Sequence, residues 1–384
     1  MTLFLHIDMI KNIEKLIRED KVLSSRDKKK IISFITYVSP ELSIKRIKKY
    51  GYVLRLFKKY LKVDYLSATE KDIRRAVAEL NNTDYAEKTK ADVKVCIKRF
   101  FKWLKGSDKF YPSHVNWIKT TVKKNFRKLP EDLLTEEDIQ KLISVCDNLR
   151  DKAIVMTLYE SGCRIGEFIE LKKKDVSFDE DGVLLTIPKG KTGARRIRLV
   201  ASSSYLAEWI NNSIREKESY LWIGLNNKKK NEKIGQNAVR IILKYLKNKS
   251  GIDKPVNPHH FRHSRATFLA NKLTEAQMCA YFGWVLGSDM PSTYVHLSQR
   301  DVDDAILGIY GHKEKREIKS KLTPISCPKC KRKLPSGSNL CSFCGTPINK
   351  EGEDIRTRDK DLASKSFIEL CKQFGIKGNF EIKE

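Results

Sequence analysis

Residues 183–200 read VLLTIPKGKTGARRIRLV, and this stretch decides the fold class. Its two ends, 183–187 and 195–200, carry the β-branched and alternating pattern of short strands. The Gly190-Lys191-Thr192-Gly193 stretch between them reads as a hairpin turn. Outward from the hairpin the sequence is helical on both sides. Apolar spacing fits helices over about 136–147 and 150–161 upstream, and over about 203–215, 235–249, 260–272 and 275–282 downstream. Thr135 with Asp138 and Thr274 with Gln277 form capping boxes ahead of two of them. Helices crowd around one hairpin instead of alternating with strands, so 134–312 reads as an α+β domain dominated by helix.

Ahead of it, residues 1–106 read as helical throughout. Ile44, Ile47, Tyr50, Val53, Leu54, Phe57 and Leu61 recur at helical spacing. Five helices fit, over about 8–20, 25–37, 43–62, 69–80 and 86–105, with Ser24/Asp27 and Thr69/Asp72 as caps. Gly106, Ser107, Asp108 and Pro112 break the pattern and Pro130 closes a basic run, so 107–133 reads as a linker. The whole chain is thus expected to be mainly α with a small β-hairpin or sheet.

Of 384 residues, 40% are hydrophobic and 32% charged, which predicts folded cores rather than disorder. There are 76 Lys and Arg against 48 Asp and Glu, a formal charge of +28. The excess is uneven: 32 basic against 14 acidic over 1–130, 27 against 24 over 131–312, and 17 against 10 over 313–384. A polyanionic partner gripped chiefly by the first third follows. No run approaches about 18 apolar residues, so a membrane span is excluded. His6 and Asp8 interrupt the apolar start of the chain before a signal-peptide core forms, which places the protein in the cytoplasm, associated with the nucleoid. In that compartment the cysteines are not a disulfide framework. Cys96, Cys146, Cys163, Cys279 and Cys371 read as small buried apolar residues. With no Walker A motif and no dinucleotide glycine fingerprint, no nucleotide cofactor is indicated.

The tail differs. Cys327-Pro-Lys-Cys330 and Cys341-Ser-Phe-Cys344 are two CxxC knuckles ten residues apart. Together they supply the four thiolates of a closed tetrahedral site, which predicts one structural, non-catalytic zinc ion in a ribbon over 322–349. Pro328 and Gly345 suit the tight turns. A charged tail, 350–384, follows, with an amphipathic stretch at Phe367, Leu370 and Phe374.

The candidate catalytic groups lie in the middle segment: Arg164 with Glu167, Lys191, then His259 and Arg262, Trp284, and Tyr294. Two arginines can make bidentate hydrogen bonds to a phosphate and offset the charge of a pentacoordinate transition state. His259 and Arg262 are three apart, so a helix presents them on one face. A tyrosine hydroxyl is a weak nucleophile until cations and a base assist it. Taken singly, Arg164 reads as a surface ion-pair partner, the histidines as caps and Tyr294 as a core tyrosine; the order and spacing of the set argue for a site.

SGCRIGEFIEL (161–171), KGKTGARRIRLV (189–200), PHHFRHSRATFLA (258–270) and FGWVLGSDMPSTYVHLS (282–298) together resemble the tyrosine recombinases, the lambda-integrase type of site-specific DNA recombinase. GSDMPSTYVHLS, the following DVDDAILGIYG and the zinc-knuckle tail resemble archaeal integrase-like members most. The resemblance implies that 1–106 is the core-binding domain and 134–312 the catalytic domain, forming a clamp on double-stranded DNA attachment sites. It implies that Arg164 and Arg262 hold the scissile phosphate, that Lys191 protonates the leaving 5′ hydroxyl, and that His259 assists proton transfer. Trp284 stands where most members have His, Glu167 orients the site, and Tyr294 attacks to give a 3′-phosphotyrosyl intermediate. Lys189 competes with Lys191 for the general-acid role, and Tyr281 and Tyr310 are rival phenols that fit the spacing less well. Neither ATP nor a catalytic metal is required, and a homotetramer on two DNA sites exchanges strands through a Holliday junction, with 301–311 as the contact between protomers. Two alternatives are a catalytically silent DNA-binding regulator of the same family and a zinc-ribbon adaptor for a protein partner. A metal-dependent nuclease would need paired carboxylates near the arginines, and Asp175, Asp179 and Asp181 fall in an expected loop instead.

Overall fold

The computed structural model describes residues 2–107, 109–121, 132–190, 193–213, 216–226, 231–270, 272–295, 306–307, 310–311, 320–341 and 343–357. It divides into two compact units, 1–127 and 128–384. None of the described helices is long and apolar enough to cross a membrane.

The first unit is built from α1 (Thr2–Arg18), α2 (Ser25–Val38), α3 (Ile44–Lys58), α4 (Glu70–Asn81), α5 (Glu87–Leu104) and the short α6 (Ser113–Asn116). The sequence signals sit where they were expected: the Ser24 hydroxyl accepts the Asp27 amide at 3.1 Å, and Thr69 and Asp72 close a reciprocal box. One face of each helix is apolar, and these faces meet around Phe34, Tyr50, Tyr65, Phe100 and Phe101, all fully buried and several packed edge to face. Asp27 is buried yet doubly engaged, accepting the Tyr65 amide at 2.8 Å and pairing with Lys58 Nζ at 2.6 Å. Val115 and Ile118 also enter this core, so the first half of the expected linker packs in the unit while 122–131 lies outside the described residues.

The second unit is organised on α8 (Leu149–Ser161), whose residues from Ala153 to Ser161 are all buried. A helix buried on every side belongs at the centre of a domain, and α7 (Glu136–Ser144), α10 (Ser203–Ser213) and α12 (Pro258–Ala270) pack around it. α11 (Gln236–Ser250) leans on α7. The hairpin is present as β2 (Gly182–Gly190) and β3 (Gly193–Leu199), and β1 (Val176–Asp179) extends it to a three-stranded antiparallel sheet in the order β1-β2-β3. Of the three aspartates expected in a loop, Asp181 does lie in the turn between β1 and β2, and the other two are placed otherwise. Asp179 ends β1 and pairs with Arg198 of β3, while buried Asp175 accepts the Lys172 amide at 2.8 Å.

The Glu160 carboxylate, in the last turn of α8, accepts the amides of Val200, Ala201 and Ser202 at 2.7–3.0 Å, and the Ser202 hydroxyl at 2.7 Å. A buried carboxylate satisfied by four donors is a stable anchor. It clamps the end of β3 to the helix that leads into Arg164. Two short helices, α9 (Ile165–Phe168) and α14 (Ser292–Val295), and α13 (Glu275–Phe282) carry the rest of the candidate site. A two-stranded ribbon, β4 (Ile325–Ser326) and β5 (Lys333–Leu334), follows.

Candidate active site

Two left-handed glycines build the floor. α8 ends at Gly162 (φ 54°), where a Cβ would lie 2.6 Å from the Phe282 ring, and α13 ends at Gly283 (φ 60°). Their turns expose carbonyls, and the arginines are laced to them. Arg262, on the buried side of α12, donates to the Gly162 carbonyl at 2.8 Å and to the Phe282 carbonyl at 2.7 Å. Arg164, at the start of α9, donates to the Gly283 carbonyl and to Glu167 Oε1, both at 2.9 Å. Adjacent carbonyls of one turn thus hold both guanidinium groups.

Glu167 is the hinge of the charge network. Its Oε2 accepts Arg195 at 2.6 Å and the Arg164 amide at 3.2 Å. Burial pushes its carboxyl up, but the Arg195 and Arg164 charges outweigh that and hold it below the usual range. Arg195, on β3, also donates to the Tyr281 carbonyl at 3.1 Å, and its Nη1 is buried without a partner. A Cβ at Gly190 would press on Arg195 Nη1 at 2.9 Å and on the Gly193 carbonyl at 2.5 Å, so the glycine lets the hairpin close over this arginine. Burial, and then the charge of Arg164, push the Arg262 guanidinium down to about 10. Cations crowded in a desolvated pocket are stabilised by an anion that they can share.

The rings of Phe282, Trp284 and Tyr294 form a stack, at 4.8 Å and 5.4 Å between centroids, and Arg262 lies over the first two. Trp284 therefore meets Tyr294 face to face. The Tyr294 ring is 4% exposed, and burial raises its phenol to about 12 while Arg262 pulls it down. Its hydroxyl lies 2.7 Å from His263 Nδ1, and His263 Nε2 lies 2.8 Å from His259 Nε2.

Arg164, Glu167, Arg262, Trp284 and Tyr294 are thus linked through shared contacts, and His259 reaches the tyrosine by way of His263. Lys191 lies outside the described residues; Lys189 stands exposed on β2. Of the rival phenols, the Tyr281 hydroxyl donates to the Glu160 carbonyl at 2.6 Å, and Tyr310 is exposed. Two participants were not singled out from sequence. His263 lies four residues after His259, a spacing that places both on one helix face. Arg195 shares a strand face with buried Ile197 and Leu199, so a period of two turns it inward.

In the tail, the Sγ atoms of Cys327, Cys330, Cys341 and Cys344 all lie within 4.8 Å of one another, two pairs at 3.6 Å. Thiolates around a tetrahedral zinc at about 2.3 Å stand roughly 3.8 Å apart, so the set fits the ion. The two knuckles repeat one another. Each first cysteine amide donates to the carbonyl five residues on (Arg332, Thr346), and each second cysteine is followed by a left-handed residue, Lys331 (φ 58°) or Gly345 (φ 68°).

The phage integrase family matches residues 132–300, and the N-terminal SAM-like domain of phage integrases matches residues 31–107. Over 244 residues the chain is 30% identical to the tyrosine recombinase XerA of Pyrococcus horikoshii, a match covering 62% of this chain and 79% of that protein. The XerA of Pyrococcus furiosus is 32% identical over 245 residues, with coverage of 62% and 79%. A solved lambda integrase dimer bound to a COC' core site is similar in fold, with a TM-score of 0.57 at 16% identity over 76% of this chain and 80% of that one.

Proposed function

The chain belongs to the phage integrase family of tyrosine recombinases, enzymes that cut and rejoin DNA at specific sites, and from that premise we propose how this chain performs the reaction. Arg164 and Arg262 hold the scissile phosphate of a duplex attachment site. Their guanidinium groups are fixed by backbone carbonyls, so they need little reorganisation as charge builds on the phosphorus oxygens. Tyr294 attacks, forming a 3′-phosphotyrosyl bond that keeps the energy of the broken phosphodiester. With its phenol near 12, Tyr294 is neutral at physiological pH and needs a base as it attacks. His259 assists that transfer, and Lys191, or Lys189 on the same hairpin, protonates the leaving 5′ oxygen. Glu167 orients Arg164, and Trp284 holds the tyrosine ring by stacking.

Four protomers on two DNA sites exchange strands through a Holliday junction. The contact between protomers is assigned to 301–311, where the described Ile306, Leu307 and Tyr310 are exposed. Residues 1–106 serve as the core-binding domain, 107–133, whose first half packs on that domain through Val115 and Ile118, as the linker, and 134–312 as the catalytic domain. In 322–349 the four cysteines hold one zinc ion as a structural crosslink, and 350–384 forms a charged tail. The protein works in the cytoplasm on the nucleoid.

The observation that carries this reading is the convergence of both arginines on the turn at 282–283, from which the chain runs through Trp284 to Tyr294. A suicide substrate tests it: a nicked duplex bearing the flanking genomic attachment sequence, scored on denaturing gels for a covalent adduct. Wild type is expected to form the adduct and Tyr294→Phe to form none. An adduct that survives Tyr294→Phe would mean another nucleophile. Sequence-specific retention of the duplex without an adduct would favour a silent DNA-binding regulator.

A further inference from the structure

We propose that His263 is the group that takes the proton from the Tyr294 hydroxyl, and that His259 acts through it as the second member of a relay. The inference rests on the recombinase reading of the site and names a residue that reading leaves out.

Geometry separates the two histidines. A general base lies within about 2.6–3.2 Å of the atom whose proton it takes. His263 Nδ1 is 2.7 Å from the Tyr294 oxygen, whereas His259 meets the far side of the His263 ring, Nε2 to Nε2 at 2.8 Å. The rings of the histidines meet edge to face at 4.2 Å between centroids. Both follow from one element: α12 starts at Pro258, and positions 259 and 263 lie one turn apart on the same face. The imidazoles are graded in exposure. His263 is half-buried against the tyrosine and His259 is exposed, so the relay runs from the nucleophile to solvent.

The protons balance. With both imidazoles neutral, the phenol donates to His263 Nδ1, the His263 proton sits on Nε2, and that N–H donates to His259 Nε2. As the Tyr294 oxygen bonds to phosphorus, its proton passes to His263 Nδ1 and the Nε2 proton passes to His259. The bond from phosphorus to the 5′ oxygen breaks, and that oxygen takes one proton from the hairpin lysine. One proton leaves through the histidines and one arrives from the lysine. Religation runs the same path in reverse, which suits a reaction that must rejoin what it cuts.

The test is single-turnover adduct formation by the full chain on the nicked duplex, at saturating DNA, with His263→Ala, His263→Asn, His259→Ala and the His259→Ala/His263→Ala pair. Loss of a general base lowers the rate by about 10²–10⁴-fold. His263→Ala is expected to fall in that range, and His263→Asn with it, because an amide oxygen accepts the hydrogen bond without taking the proton. The double variant is expected to be no slower than His263→Ala, since members of one relay are not additive. Added imidazole is expected to restore part of the His263→Ala rate. A substrate with a 5′-bridging phosphorothioate, whose thiolate leaves without a proton, is expected to rescue loss of the hairpin lysine and not loss of His263.

Wild-type cleavage by His263→Ala alongside a His259→Ala defect would overturn the assignment in favour of direct action by His259. Faster cleavage by His263→Ala would overturn it too, making His263 a latch on the resting tyrosine. Absence of an adduct in the wild type itself would remove the recombinase reading, and this inference with it.

Discussion

The two units handle positive charge in opposite ways. In the first, residues 1–130 carry +18, and lysines and arginines of the described helices stand exposed on their outer faces. Lys45, Arg46 and Lys48 of α3 are exposed, and Lys49 meets Asp92 at the surface. In the second, 131–312 carries a surplus of only three, yet Arg262 is 5% exposed and shares carbonyls of one turn with Arg164. Many solvated charges raise affinity for a polyanion without choosing a bond. A few desolvated ones, held by backbone, are suited to gripping a single phosphate. Charge count and chemical consequence therefore part company, and composition reports only the first.

The widest break in this contrast is expected at Arg262. Arg262→Lys keeps the charge but loses the fork that two carbonyls hold, so single-turnover cleavage should drop by about 10²–10³-fold. Retention of the duplex and its salt dependence are expected to stay near wild type. Equal losses in binding and cleavage would erase the distinction. A smaller effect is expected at Arg195→Ala, which touches the phosphate cradle only through Glu167. Misplacement of such a network costs up to about 10²-fold in rate, read in the same assay with binding unchanged.

The first unit sharpens the comparison from the other side. Replacing Lys45, Arg46 and Lys48 with Ala should weaken binding to all sequences alike. The slope of log affinity against log salt should become shallower by up to roughly three, about 0.9 for each phosphate no longer neutralised. Cleavage at saturating DNA is expected to be unaffected. The least effect belongs to the ribbon, whose small cluster of Cys327, Leu334 and Cys341 is its own, although β5 rests on α10 and Leu322 joins the catalytic core. Cys330→Ser is expected to abolish stoichiometric zinc in metal analysis while cleavage of the minimal duplex proceeds at the wild-type rate.

Much of this was legible because local signals agreed with tertiary placement. Capping boxes at Thr69, Thr135 and Thr274 start their helices where read, and the hairpin lies between Gly182 and Leu199. β1 was missed because it is a four-residue edge strand whose last three residues are exposed, Phe178 among them, and it has no alternation to betray it. Val115 and Ile118 sit behind Gly106 and Pro112, where breakers mask a core contribution. At the site, residue types and order pointed to Arg164, Arg262 and Tyr294. Which histidine touches the phenol depends on the pitch of α12 and the approach of α14, a distance that no linear spacing encodes. Arg195 was hidden among three arginines, and strand alternation alone separates it from Arg196 and Arg198.

On the proposed roles, the turn at Phe282–Gly283 also ties the phosphate grip to the nucleophile. An enzyme that grips a phosphate without its tyrosine leaves room for water, and water makes a break that nothing can reseal. Here the carbonyls that fasten Arg262 and Arg164 belong to the same short stretch of chain that runs on to Trp284 and Tyr294. If that stretch departs, Tyr294 leaves together with one anchor of each arginine, while Arg262 keeps the Gly162 carbonyl and Arg164 keeps Glu167.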